Sequence, residues 1–240
     1  MLRLPLLLFA LGCNAASGNG ESGRTQACSA QIEFAPVLVS TPDTVVTFTC
    51  DHASSLQLIQ AAGRQTRLPI GIVLGNDPTI LSRTMRSFSL AKLDAKSTLL
   101  EAIAGTGYSL NESNGTFVLI AGDLTSRQRQ VLDHEYPDFK AGLDQTMVEL
   151  GVQLTMWMQA EIDHVPGFGG SILYSLNDER FTFAATPPST TEEIANRIVS
   201  MGSKGIWILR ADAFQRSEGV TDAVEIEPYQ HYSNMPSSDR

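Results

Sequence analysis

Leu99-Leu100-Glu101-Ala102-Ile103-Ala104-Gly105-Thr106-Gly107-Tyr108, followed shortly by Asn114-Gly115-Thr116-Phe117-Val118-Leu119-Ile120, is the stretch that decides the fold. Leu99, Leu100 and Ile103 fall on one side of a helix, and Asp94 is a good N-cap for it. Gly105 lies just past its end, where a left-handed residue closes a helix. The chain must then reverse and enter a strand within a few residues, and Gly105 and Gly107 tolerate the backbone angles this demands. Asn-Gly between β-forming residues is a strong hairpin signal, so 108–110 and 116–121 are read as its strands.

Working outward, residues 45–50 are β-branched and aromatic and read as a strand. Leu56, Ile59 and Ala62 then recur at helical spacing, with Ser54 or Ser55 as N-cap and an end near Gln65-Thr66. Pro69 follows, residues 70–74 read as a buried strand, and Gly75-Asn76-Asp77-Pro78 is a turn signal. Residues 86–93 alternate, with Phe88, Leu90 and Leu93 as the apolar positions. Residues 44–123 are therefore expected to form a small α+β unit.

In order and spacing this unit resembles the secretin and TonB short N-terminal (STN) domain. The residues that carry the likeness are 56–66 ending in Gln65-Thr66, then Leu68-Pro69-Ile70, and above all the stretch quoted first. One departure is Arg67, which stands where a glycine often follows the Gln-Thr pair. The resemblance implies a periplasmic module that contacts regulatory or assembly partners through sheet edges. It covers about a third of the chain, which is far too short for a receptor barrel or a secretin channel. The strand Thr116, Phe117, Val118, Leu119, Ile120 is the candidate interaction edge, being apolar and free of charge and proline.

The second half reads as another α+β unit, over 124–215, with a mainly antiparallel sheet. Residues 125–135, capped by Ser126, and 139–147 look helical. From Val148 two periods compete. A helical stripe would use Leu143, Met147, Leu150, Leu154 and Trp157, but apolar residues also occupy every even position to Ile162, and this alternation predicts a long strand over 148–162 with Gly151 as a bulge. A glycine-rich loop at 165–170 and a hairpin of 172–176 with 180–185 follow. Ser189 or Thr190 with a Glu three residues on is a capping box that opens a helix carrying Ile194, Ile198 and Met201. Gly202 ends it and 205–210 returns as a strand. Residues 216–240 read as a polar tail.

The start of the chain has the three parts of a secretory signal: Arg3, an apolar run from Leu4 to Leu11, and small residues at Gly12, Ala15 and Ala16. Residues 1–16 are thus expected to be a signal peptide and 17–43 a flexible leader, placing the mature protein in the periplasm or outside the cell. Ala10-Leu11-Gly12-Cys13 loosely resembles a lipobox, with Leu11 where a small residue is usual. Ordinary cleavage near Ala15 or Ala16 is expected, with Cys13 as a candidate for lipidation and a lipid anchor. Cys28 and Cys50 remain as a pair in an oxidising compartment, where a disulfide is the expected state. No later stretch is apolar for the roughly 20 residues a membrane span needs. A formal net charge of -9, with no basic stripe, argues against nucleic acid as a partner.

No catalytic, cofactor or metal constellation is expected. His134-Glu135 begins like a zinc-protease helix, but Asp138 stands where the second histidine is needed and Pro137 breaks the helix. His52, His164 and His231 have no paired ligand spacing. Gly167-Phe168-Gly169-Gly170 lacks the Lys and Ser or Thr of a phosphate loop, and Ser171 is not in a nucleophile elbow. Glu161 and Asp163 would need a further carboxylate for hydrolysis. Trp157, Trp207, Met156 and Met158 could line a groove, though such residues are more often core. The expected function is a non-enzymatic, exported interaction module for an envelope protein partner. The alternative is a small periplasmic enzyme or ligand-binding protein with a cleft between the two halves.

Overall fold

The computed structural model describes residues 29–34, 44–140, 143–162, 179–185, 188–216 and 219–229. The signal peptide, Cys13, Cys28, Asp163, His164, the loop 165–170, Ser171, residues 172–176, His231 and the last residues of the tail lie outside the described residues, as does the side chain of Cys50.

The first half follows its local signals closely. Strands β1 (Ser29–Phe34) and β2 (Thr44–Ser54) lead into helix α1 (Ser55–Thr66). The Ser54 hydroxyl accepts from the Gln57 amide at 3.1 Å and the Gln57 side chain accepts from the Ser54 amide at 2.9 Å, a complete capping box. The helix closes on Arg67 at φ 55°, ψ 33°. That left-handed geometry is the physical reason a glycine suits the position. Next come β3 (Ile70–Val73), the short α2 (Ile80–Arg83), β4 (Met85–Leu93) and α3 (Ala95–Ile103), capped by Asp94. Strands β5 (Tyr108–Ser113) and β6 (Thr116–Ala121) form the expected hairpin, with Asn114 and Gly115 both at positive φ, 52° and 74°.

The second half contributes α4 (Ser126–Leu132), β7 (Glu135–Tyr136), β8 (Gln145–Thr146), α5 (Met147–Glu161), β9 (Arg180–Phe181), β10 (Ser189–Thr190), α6 (Thr191–Val199), β11 (Gly205–Arg216) and β12 (Gly219–Pro228). Five expectations change. Residues 148–162 are the helix α5, not a strand. Its start is fixed by a capping box between Thr146 and Glu149, and Met147, Leu150, Leu154 and Met158 form its buried face. Val148, Val152 and Met156 are half-buried on its flank, and this wide apolar girth produced the false period of two. Of the stretch 139–147 expected to be helical, Lys140 bridges Ala184, Gln145–Thr146 form β8 and only Met147 is helical, as the first residue of α5; Thr125, not Ser126, caps α4. Residues 219–228 form a strand rather than tail, and β1 lies within the stretch read as leader. By contrast, the Thr190–Glu193 capping box opens α6 as expected, but the helix ends at Val199 with Ser200 as its C-cap, so Met201 and the positive-φ Gly202 lie in the turn beyond it.

The fold is α+β, with most strand pairs antiparallel. One sheet has the order β12-β11-β3-β6-β5, in which β11, β3 and β6 are parallel and the outer strands antiparallel; β1-β2-β4 form a smaller sheet. Side chains alternate strictly between the faces of the large sheet. Ile70, Ile72, Leu119 and Ile206 meet α1 and α3, whereas Val73, Val118, Trp207 and Leu209 meet α4, α5 and α6. Trp207 needs Gly71 beside it, since a Cβ there would lie 2.4 Å from the indole. Its ring N–H donates to the buried Asn196 Oδ1 at 2.8 Å. The register Ile206↔Ile70 to Leu209↔Val73 crosses the boundary expected at residue 123, so the two halves share one sheet and both of its cores.

Candidate functional site

β6 is an interior strand, paired with β3 on one side and β5 on the other. The interaction edge expected at Thr116, Phe117, Val118, Leu119 and Ile120 is therefore corrected. An apolar, uncharged composition is what a central strand with two covered faces requires. The edges of this sheet are β5 and β12.

Those edges differ. Along β12, α5 packs against the strand, with Gly151 so close that a Cβ would lie 2.8 Å from Ile226 Cγ1. The Thr155 hydroxyl accepts from the Val224 amide at 3.0 Å and donates to the Val224 carbonyl at 3.1 Å, both bonds buried. The outward backbone groups of Val224 are thus occupied. On the other side, the Phe117 amide donates to the Pro69 carbonyl at 3.1 Å, so Phe117 and Leu119 turn their backbone groups to β3, and Thr116, Val118 and Ile120 turn theirs to β5. Their register partners Ser113, Asn111 and Ser109 complete that ladder. Tyr108, Leu110 and Glu112 are left with amide and carbonyl groups directed away from the sheet.

At the Tyr108 end of this open edge lies a cleft of about 360 Å³. It follows from the topology. After β3 the chain turns to the α1/α3 face, where Leu81 of α2 is buried; after β6 it turns to the opposite face, where Val131 and Leu132 of α4 are buried. Loops that leave neighbouring parallel strands in opposite directions open a crevice at the strands' carboxyl ends, the usual ligand position in such sheets. Ile80, Ala121 and the Tyr108 ring line it, with Asp77 and Asp123 at its rim.

The rim is held from within. The Asn76 side-chain amide donates to the Asp123 carbonyl at 3.0 Å, and the Gly122 amide donates to the Gly107 carbonyl at 2.9 Å. Asp77 accepts from the Thr79 hydroxyl at 2.7 Å and from its amide at 3.1 Å, and pairs with Arg83 at 2.5 Å. The Thr79 hydroxyl leads the interactions that hold the Asp77 carboxyl below its usual range. Asp123 makes no ion pair among the described residues. Its carboxylate rests on Gly75, where a Cβ would come within 1.9 Å of Oδ1. The Tyr108 hydroxyl is buried near the Gly75 amide, outside hydrogen-bond geometry with any described group. Burial, followed by the Asp123 and Asp77 charges acting against the Gly75 amide, pushes this phenol up to about 12.

The sequence had marked Gly75-Asn76-Asp77-Pro78 and Gly105-Thr106-Gly107 only as turns. The missed signal is that apolar strands end twice in glycine followed closely by aspartate, at Gly75 to Asp77 and Gly122-Asp123.

Of the other residues singled out, the structure brings His134 and Glu161 together, Nε2 to Oε2 at 3.3 Å, joining the end of α4 to the end of α5. His134 also packs edge-on against Tyr136, which belongs with Phe139, Trp157 and Phe183 to one aromatic cluster. Met158 is a buried core residue and the half-buried Trp157 packs against the same core. Among the described residues no group of three or more His, Cys, Asp or Glu side chains is placed to hold a metal ion, and no helix is long and apolar enough to cross a membrane. Comparison with protein families, curated proteins and solved structures returns no match.

Proposed function

We propose that this protein is an exported envelope component that acts as a non-enzymatic interaction module, its STN-like half receiving a strand of a partner protein along β5. The observation that carries the reading is the contrast between the edges: α5 occupies the outward groups of Val224 on β12, whereas those of Tyr108, Leu110 and Glu112 on β5 have no described partner. Main-chain bonds at such an edge supply affinity, and neighbouring pockets supply selectivity. Glu112 is exposed, and a charge on an open edge discourages indiscriminate pairing.

The test is affinity capture from the native envelope with the mature protein and its Glu112→Pro variant, partners being identified by mass spectrometry. Proline removes an outward amide without touching the ladder to β6, so the variant should keep a cooperative melt and lose the partner. Equal capture by both proteins would overturn β5 as the docking edge.

A further inference from the structure

We infer that the cleft beside Tyr108 receives a basic side chain, the lysine ammonium or arginine guanidinium of the strand that docks on β5. The inference rests on the β5 reading for the source of the cation, and on the cleft itself for its chemistry. Tyr108 and Leu110 turn their side chains toward the α1/α3 face of the sheet. A residue of an added strand opposite Tyr108 that points to the same face therefore lies against the phenol ring and next to the cleft.

The walls suit the occupant. Ile80, Ala121 and the Tyr108 ring offer apolar surface to a methylene stem, and the ring face attracts a cation. The charge at the rim selects its sign. Asp77 is already matched by Arg83, so the pair is close to neutral, but Asp123 has no cation among the described residues. The Tyr108 hydroxyl adds an unpartnered polar atom. An anion would meet an unbalanced carboxylate and find no uncommitted cation at the rim, whereas an ammonium or guanidinium would complete a charge-assisted bond. The formal net charge of -9 draws cationic segments to the surface as a whole.

The experiment follows amide resonances of the full chain during titration with Nα-acetyl-lysine N-methylamide and its uncharged norleucine counterpart. The peptide acetyl-Thr-Val-Lys-Val-Thr-amide and its norleucine version are titrated in parallel. The lysine probes should shift Gly75, Asp77, Gly107 and Gly122, and the norleucine probes should not. Asp123→Asn should weaken the lysine response about tenfold without changing the melt. The lysine peptide should in addition shift Leu110 and Glu112. Equal response to lysine and norleucine probes, or no effect of Asp123→Asn, overturns the inference while β5 shifts keep the docking reading. A cleft response without β5 shifts overturns the docking reading instead and leaves a receptor for free amines.

Discussion

At the β12 end of the large sheet the outermost strand pairs with the long β11 and lies under α5, with Thr155 bonded to both backbone groups of Val224. At the β5 end the outermost strand has six residues, Ser109, Asn111 and Glu112 are exposed, and α3 covers only its face. The longer edge strand would be the greater hazard for edge-to-edge pairing, and it is the one on which a helix occupies the outward groups of Val224. The short polar edge has no partner among the described residues and lies beside a cleft. One fold thus treats its two edges in opposite ways, and the difference separates the part that stabilises the sheet from the part available to a partner.

The sharpest way to break this comparison is to put proline on either side of the β5–β6 ladder. Val118 is fully buried and its amide faces β5. Val118→Pro removes an internal ladder bond and forces a ring into both the ladder and the core, so the cooperative thermal melt should disappear. Glu112→Pro, on the outward side, should melt within a few degrees of the parent. If Val118→Pro melted normally, β6 would not be interior and the assignment of the open edge would fall.

A smaller effect is expected at the opposite end. Thr155→Val keeps the volume of the side chain but leaves the Val224 amide and carbonyl buried without a partner, a cost of about 2 to 3 kcal/mol. Urea denaturation measures it. A loss below about 0.5 kcal/mol would mean that another group takes over both bonds, and the edge would then be covered by packing alone.

These two ends also differ in how far they could be read in advance. The β5–β6 hairpin and the starts of α1, α3 and α6 are written in adjacent residues: Asn114-Gly115, Ser54 with Gln57, Asp94, and Thr190 with Glu193. Local hydrogen bonds decide them, so local sequence is sufficient. β12 was missed because Glu225 and Glu227 gave its stretch the look of a charged tail, although Val224 and Ile226 alternate with them toward the core. The parallel pairing of β11 with β3 joins residues far apart in the chain, and no local pattern encodes it. The cleft depends on that topology, so Asp77 and Asp123 could be seen as turn residues but not as neighbours. For α5 the difficulty was ambiguity: a helix that is apolar on most of its girth also satisfies alternation, and the Thr146–Glu149 cap was the clue that separates the two.

The smallest expected effect concerns how firmly the second half holds the hairpin end of β5. Glu192, in the first turn of α6, accepts from the Asn196 side-chain amide at 3.4 Å and interacts with the Ser113 side chain at the end of β5. Two influences on its carboxyl oppose each other. The positive end of α6 favours the charged form and would depress the pKa. Burial favours the neutral form, and Asp133 and Glu193 add like charge; together these outweigh the Ser113 and Asn196 bonds and raise the pKa above 4.5. A raised carboxyl pKa means that the folded state binds the proton more tightly than the unfolded chain. The group's contribution to stability is then fullest below pH 4.5 and is lost as pH rises through the folded pKa. Glu192→Gln removes this titration and keeps an acceptor for Ser113. The side chain is partly solvated, so the net change at pH 7 should stay within about 1 kcal/mol, the lost helix-terminus attraction offsetting relief of burial. The direction of the pH dependence is the decisive readout: the melting temperature of Glu192→Gln relative to the parent should rise between pH 4.5 and 7. A fall over that range would show that the helix terminus dominates and that Glu192 anchors β5 as a charged partner of Ser113.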